Sequence, residues 1–278
     1  MAPRPARLPA DLGVRAAAGV AMAGLAAIVI ILGGWSFAVV MMVILVLLAW
    51  EWAKLTMGHS KKRYAIVGVI LLPLLLMALL QLAVATAPNP TLALIGGALG
   101  AVLLLLSALL IRRVGGWSER LWAVIGIVYL GVPAVAFLAL RDLPHGMQLV
   151  FWLVIVVVAT DVFAYLTGRS LGGPKLAPRI SPGKTWSGLA GGATAALITG
   201  AVFAFLVGWG WLQGGIFALI LALVAQSGDL FESFVKRRAG VKDSGRLIPG
   251  HGGLLDRLDG YLFAVPTLAL LVAIDRAL

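Results

Sequence analysis

The sequence contains no cysteine, which excludes disulfides and thiolate metal centres from its folding and its chemistry. It is also short of charge: only 12% of its 278 residues are Asp, Glu, Lys or Arg, and only 11 residues are acidic. Histidine is nearly absent, and two of the three, His59 and His145, stand in connecting segments without partner residues nearby and take no role. In place of charge the chain has 62% hydrophobic residues, far above the roughly 45–50% usual for water-soluble domains. A soluble domain is excluded, and the solvent of this protein is a bilayer.

Apolar runs of the length that crosses about 30 Å of hydrocarbon as helix, roughly 20 residues, recur along the whole chain. They lie at about 14–32, 35–53, 64–86, 91–112, 119–140, 147–168, 187–208, 211–231 and 258–277. Turn signals such as Gly33-Gly34, Ala87-Pro88-Asn89-Pro90 and Gly208-Trp209-Gly210 separate them. The expectation is an all-α polytopic integral membrane protein of about nine transmembrane helices, a single domain over 1–278. Residues 1–146 form a helical scaffold half and 147–278 a catalytic half. The runs are apolar on all sides, whereas barrel strands would be about 10 residues of alternating polarity. Met1–Arg15 carries positive charge before an apolar run, and we read it as leading into a retained first helix, since no small-residue cleavage pattern stands out.

Lys and Arg accumulate in short cytoplasmic loops. Nine helices with the N-terminus inside put 20 of the 22 basic residues on the cytoplasmic side and leave only Arg141 and Arg276 on the other. The formal net charge of +11 is thus spread among membrane loops, so it does not suggest nucleic acid. Anionic lipid headgroups, nucleotide phosphates or topology alone remain as explanations. Glu51, between Trp50 and Trp52 at a helix end, reads as an interfacial anchor.

Polar chemistry begins after residue 160. Asp161 lies within the sixth span, where an ionisable group costs about 2.5–3.5 kcal/mol unless it faces protein or water. Tyr165 and Gly168 follow on the same helical face. The loop from Gly168 to Thr185 is dense in Gly, Pro and cations. Its Gly183-Lys184-Thr185 fails as a P-loop, because Pro178 stands where a glycine is needed. What remains is a loop with exposed backbone N–H groups suited to phosphate, or an ordinary topogenic loop.

The segment 227–260 is richer. Asp229 and Ser233 are four apart near the end of the eighth span, and Asp256 and Asp259 three apart at the start of the ninth. Carboxylates from two elements suit Mg²⁺, which takes a few hard oxygens from protein and fills its shell with water and phosphate. Lys236, Arg237, Arg238, Lys242, Arg246 and Arg257 add positive charge enough for a triphosphate and a lipid phosphate. Metal and cations together indicate phosphoryl or nucleotidyl transfer. Gly250-His251-Gly252-Gly253 allows close approach of backbone to phosphate. His251 would either donate to a phosphate oxygen or hydrogen-bond a carbonyl.

At these residues the chain resembles the phosphatidate cytidylyltransferase (CDP-diacylglycerol synthase) family. That family's signature runs Ser-x-x-Lys-Arg, Lys-Asp, then Pro-Gly-His-Gly-Gly-x-x-Asp-Arg-x-Asp. It stands here as Ser233, Lys236, Arg237, Lys242, Asp243, Pro249, Gly250, His251, Gly252, Gly253, Asp256, Arg257 and Asp259. Upstream, Asp161, Ala164, Tyr165, Gly168, Ser181, Pro182, Lys184 and Thr185 resemble its Asp-x-x-Ala-Tyr-x-x-Gly and Ser-Pro-x-Lys-Thr segments. Gly183 and Ser187 depart from it, where Lys and Glu are frequent.

The resemblance implies a Mg²⁺-dependent nucleotidyltransferase of phospholipid biosynthesis in the cell (plasma or inner) membrane, acting on the cytoplasmic side. Its partners would be CTP, phosphatidic acid and the bilayer, with room for a second, monovalent cation such as K⁺ and for a homodimer. Asp229 and Asp256 would be the metal ligands, and Asp259 and Asp161 supporting carboxylates. Lys236, Arg237, Lys242 and Arg257 would hold phosphates, with Tyr165, Ser181, Lys184, Thr185, Ser233, His251, Gly252 and Gly253 completing the substrate site. A polyprenol or phytol kinase-like enzyme is the alternative within nucleotide chemistry, and the long Lys-Asp to His-Gly-Gly signature argues against it. A transporter of phosphorylated solutes would show matched halves, whereas here the chemistry sits in one half.

Overall fold

Seven helices and one short hairpin make up the described part of the computed structural model, which covers residues 12–57, 116–245, 247 and 252–277. The helices are α1 (Leu12–Leu32), α2 (Gly34–Met57), α3 (Trp117–Asp142), α4 (Gly146–Leu171), α5 (Trp186–Leu206), α6 (Trp211–Arg238) and α7 (Leu255–Ala277). Each falls on an expected span with shifted ends. The spans 64–86 and 91–112 lie outside the described residues. Helices α2 to α7 are long and apolar enough to cross a membrane.

The division of the first apolar run at Gly33-Gly34 has a backbone cause. Both glycines take positive φ, +61° and +48°, a conformation that L side chains rarely adopt and that ends a helix. Arg141 from the end of α3 covers the carbonyls left over there, its Nε donating to Ile30 O at 2.8 Å and Nη2 to Ile31 O at 3.3 Å. A basic residue at this end of the bundle is thus tied to a helix terminus.

One element departs from the all-helical expectation. Within the loop read as open, β1 (Lys175–Ala177) and β2 (Ser181–Thr185) pair antiparallel, Lys175 opposite Thr185 and Ala177 opposite Ser181. The turn closes through Ile180 N donating to Ala177 O at 3.1 Å. Strands of three and five residues in a stretch rich in Gly and Pro carry no alternating apolar pattern, so no strand signal is legible there. Part of this backbone is spent on the ladder rather than held open for phosphate.

Helix α5 packs between α4 and α6, α6 against α7, α7 against α3, and α3 against α2. Close approach comes from small residues: a Cβ on Gly188 would lie 2.7 Å from Ala164 O of α4, and one on Gly192 2.6 Å from Thr160 O. This Gly188-x-x-x-Gly192 spacing does on α5 what membrane helices use in place of hydrophobic association. At the other surface of the bundle, Val124, Val128 and Val132 form an exposed stripe on α3, as do Ile198, Val202 and Phe205 on α5. Such faces suit acyl chains and would be a liability in water.

Candidate active site

The ends of α2, α4 and α6 and the beginnings of α3, α5 and α7 share one end of the bundle, and the polar side chains gather there. Helix α6 presents Gln226, Asp229, Ser233 and Lys236 at spacings of three and four, hence on one face. Backbone contact sets α7 beside it, since a Cβ on Gly228 would lie 2.6 Å from Asp259 O. That proximity puts Asp259 within Coulombic range of both Asp229 and Asp161.

Two hydrogen-bonded networks occupy this end. In the first, Gln226 of α6 bridges α4 and the hairpin: its Nε2 donates to Asp161 Oδ1 at 3.2 Å, and its Oε1 accepts from Lys184 Nζ at 2.9 Å. Lys184 also pairs with Asp229 Oδ2 at 2.6 Å, and Ser233 Oγ donates to Asp229 Oδ1 at 3.3 Å. In the second, Lys236 lies between Glu232 and Asp256, its Nζ 2.6 Å from Asp256 Oδ1. Asp256 Oδ2 accepts from Ser244 N at 2.9 Å, Ser244 Oγ at 3.0 Å and Gly253 N at 2.8 Å. The Lys236 ion pairs are nearly dry, with side-chain exposures of 12% for Lys236, 0% for Glu232 and 8% for Asp256. Losing one member would strand the others.

Asp161, Asp229, Ser233, Lys184, Lys236, Asp256 and Asp259 are therefore all drawn to one end of the bundle. Asp229 and Asp256, expected to share an ion, pair with different lysines, Lys184 and Lys236. Thr185 is buried and caps α5, its Oγ1 accepting from Gly188 N at 3.1 Å. Ser181 opens β2, while Arg237 donates through Nε to Ile180 O at 3.2 Å and through Nη1 to Val241 O at 3.3 Å. Tyr165 is exposed and accepts from Arg169 Nη1 at 2.8 Å. Lys242 and Arg257 are exposed. Gly252 takes φ +83°, which favours glycine, and Gly253 packs against Ser244 and Glu51. His251 lies outside the described residues.

Four contributors went unassigned from sequence. Gln226 and Glu232 carry a signal in retrospect, lying on α6 at helical spacing from Asp229 and Lys236. Ser244 has none. Glu51 corrects the interfacial reading: it is 4% exposed and accepts hydrogen bonds from Ser244, Leu254 and Leu255. Its charge between two tryptophans fitted a membrane boundary equally well, and only the tertiary contact separates the two.

Five carboxylates (Asp161, Asp229, Glu232, Asp256 and Asp259) gather at this end with two lysines, Lys184 and Lys236, while Arg257 acts on Asp161 only through its field. Both Glu232 oxygens are fully buried and have no hydrogen bond in support of the Lys236 pairing. This excess of hard oxygen fits a divalent cation. Among the described residues no three acidic or histidine side chains form a closed cage. An ion such as Mg²⁺, which keeps waters and substrate oxygens in its shell, does not ask for one.

A sequence model described as "Cytidylyltransferase family" matches residues 13–275. A protein of Brucella suis biovar 1 (strain 1330) named phosphatidate cytidylyltransferase is 50% identical over 184 residues, which is 64% of this chain and 67% of that one. The Bacillus subtilis (strain 168) protein of the same name is 39% identical over 181 residues, with the same shares. One from Staphylococcus haemolyticus (strain JCSC1435) is 40% identical over 159 residues, 56% of this chain and 60% of its own.

Proposed function

The chain belongs to the cytidylyltransferase family, and from that premise we propose how its polar networks join CTP to phosphatidic acid, giving CDP-diacylglycerol and pyrophosphate. The observation that carries the reading is the meeting of carboxylates from three helices with Lys184 and Lys236 at one end of an otherwise apolar bundle. A phosphate oxygen of phosphatidic acid attacks the α-phosphorus of CTP. A new P–O bond forms there, and the bond to the oxygen bridging to the β-phosphate breaks, that oxygen leaving with pyrophosphate. No protein nucleophile is needed, because the reaction asks for alignment and charge neutralisation.

Lys184, Lys236, Arg237, Lys242 and Arg257 are the cations for the triphosphate and the lipid phosphate, with Ser181, Ser233 and His251 as further contacts. A Mg²⁺ ion held by Asp229 and Asp256, with Asp161 and Asp259 in support, would neutralise charge on the triphosphate and the leaving pyrophosphate. A second, monovalent cation such as K⁺ is part of the same proposal. The test is direct: purified protein in detergent, given labelled CTP, phosphatidic acid and Mg²⁺, yields a lipid-extractable cytidine product. Label confined to water-soluble nucleotides would overturn the reading.

The protein crosses the membrane several times, and we place the site on the cytoplasmic side of a bacterial plasma membrane with nine helices in all. Lys54, Arg169, Lys175, Arg179, Lys184, Lys236, Arg237, Arg238, Lys242 and Arg257 all stand at the site's end of the bundle, against Arg141 at the other. Helix α2 ends and α3 begins at that end, the parity that two crossings between them require. A reporter inserted between Pro178 and Arg179 is expected on the cytoplasmic side, and one at Trp209 on the opposite side. Both reporters on one side would break this arrangement.

A further inference from the structure

Glu51 enters the site from the N-terminal half, 193 residues before Ser244. The end of α2 that carries it is fixed: Trp52, Ala49 and Ala53 are wholly buried, and Trp52 Nε1 donates to Trp122 O at 3.0 Å. From that mount its Oε1 accepts from Leu254 N at 3.0 Å and its Oε2 from Leu255 N at 2.8 Å. These amides open α7, where N–H groups have no partner within the helix and a negative charge is favoured. A cap normally comes from a residue just ahead of the helix; here a distant carboxylate supplies it.

The same carboxylate reaches the other side of the loop between α6 and α7, since Ser244 Oγ lies 2.9 Å from Glu51 Oε2 and 3.0 Å from Asp256 Oδ2. One hydroxyl proton serves these two carboxylates, and Ser244 N and Gly253 N add their own bonds to Asp256. The enclosure is tight: a Cβ on Gly245 would lie 2.5 Å from Glu51 Oε1, and one on Gly253 2.7 Å from Oε2. Those two glycines make space for this side chain.

We propose that Glu51 is a positioning residue for the transfer reaction, clamping both arms of the loop between α6 and α7 so that Ser244 and Gly253 hold Asp256 against Lys236. The proposal rests on the cytidylyl-transfer reading for its link to rate. Glutamine keeps the size of Glu51 but offers one acceptor oxygen, and its NH₂ would face an N–H donor.

Three variants in detergent test it: Glu51→Gln, Ser244→Ala and the double. Glu51→Gln is expected to lower kcat/KM about 10- to 100-fold. The loss should fall on kcat, with KM for phosphatidic acid within about twofold, because the bonds of Glu51 go to Ser244, Leu254 and Leu255 and it acts through Asp256. Ser244→Ala should lower it in the same way by about fivefold or more. The double variant should lose no more than about twofold beyond Glu51→Gln, because both act on the rate through the placement of Asp256. Deuterium uptake should rise in peptides covering 244–255 and stay parental in α5. Losses that multiply, or parental uptake at 244–255, would overturn the clamp. Should Glu51→Gln not accumulate folded, Ser244→Ala must still show both the rate loss and the raised uptake, and parental values in either would overturn it. A parent that forms no lipid-extractable cytidine product would sink the reaction reading, while the uptake measurements still decide the clamp.

Discussion

Asp256→Asn is expected to lower kcat/KM about 100-fold or more, and to lower stability by the roughly 3–5 kcal/mol lost when one partner of a buried ion pair is removed. The side chain keeps its shape, so what changes is charge and donor pattern. Asp256 accepts four hydrogen bonds, from Lys236 through Oδ1 and from Ser244 N, Ser244 Oγ and Gly253 N through Oδ2. An amide fills only one of these two acceptor positions with oxygen and sets an NH₂ against donors in the other. Lys236 is left with Glu232 alone, and the site loses one negative charge. Labelled CTP incorporation measures the rate, and a monodisperse elution profile in detergent shows whether the fold survives. Near-parental activity at ordinary Mg²⁺ concentrations would remove Asp256 from the site.

Why could so much of this arrangement be read from the sequence, and where did reading stop? A bilayer asks for length and apolarity in each crossing, and helices α2 to α7 carry that signal locally. Carboxylates inside or beside such runs are costly unless used, which singles out Asp161, Asp229, Asp256 and Asp259. Their partners were another matter. Lys184 joins Gln226 and Asp229 only because the hairpin folds back over α6, and Glu51 meets Ser244 across most of the chain. Neither meeting leaves a trace in spacing. Gly253, expected beside a phosphate, lies against Glu51 and Ser244, because the same absence of a side chain serves either neighbour.

Lys236, Arg237 and Lys242 were equivalent in sequence, and the structure makes them three different experiments. Lys236 is nearly buried between Glu232 and Asp256. Lys236→Gln strands two carboxylates, so a loss of about 3–5 kcal/mol in stability accompanies a loss of rate comparable to that of Asp256→Asn. Its effect cannot by itself distinguish holding a phosphate from holding α6 to α7. Arg237 ties the hairpin turn at Ile180 to the loop at Val241 through backbone carbonyls, so Arg237→Gln combines a loosened hairpin with lost charge. Lys242 is exposed on the loop, where a surface charge alone contributes about 0–1 kcal/mol. It is therefore the discriminating position. If Lys242 holds a phosphate, Lys242→Gln removes a charge-assisted hydrogen bond of about 1.5–3 kcal/mol and lowers kcat/KM roughly 10- to 150-fold, with the melting temperature in detergent unchanged. If it only helps to orient the loop toward the cytoplasm, many other basic residues still do so and the rate barely moves. We expect the large loss for at least two of the three, with membrane insertion intact. Should all three single variants keep more than about half of the parental kcat/KM, the phosphate-holding role fails and topology accounts for these charges.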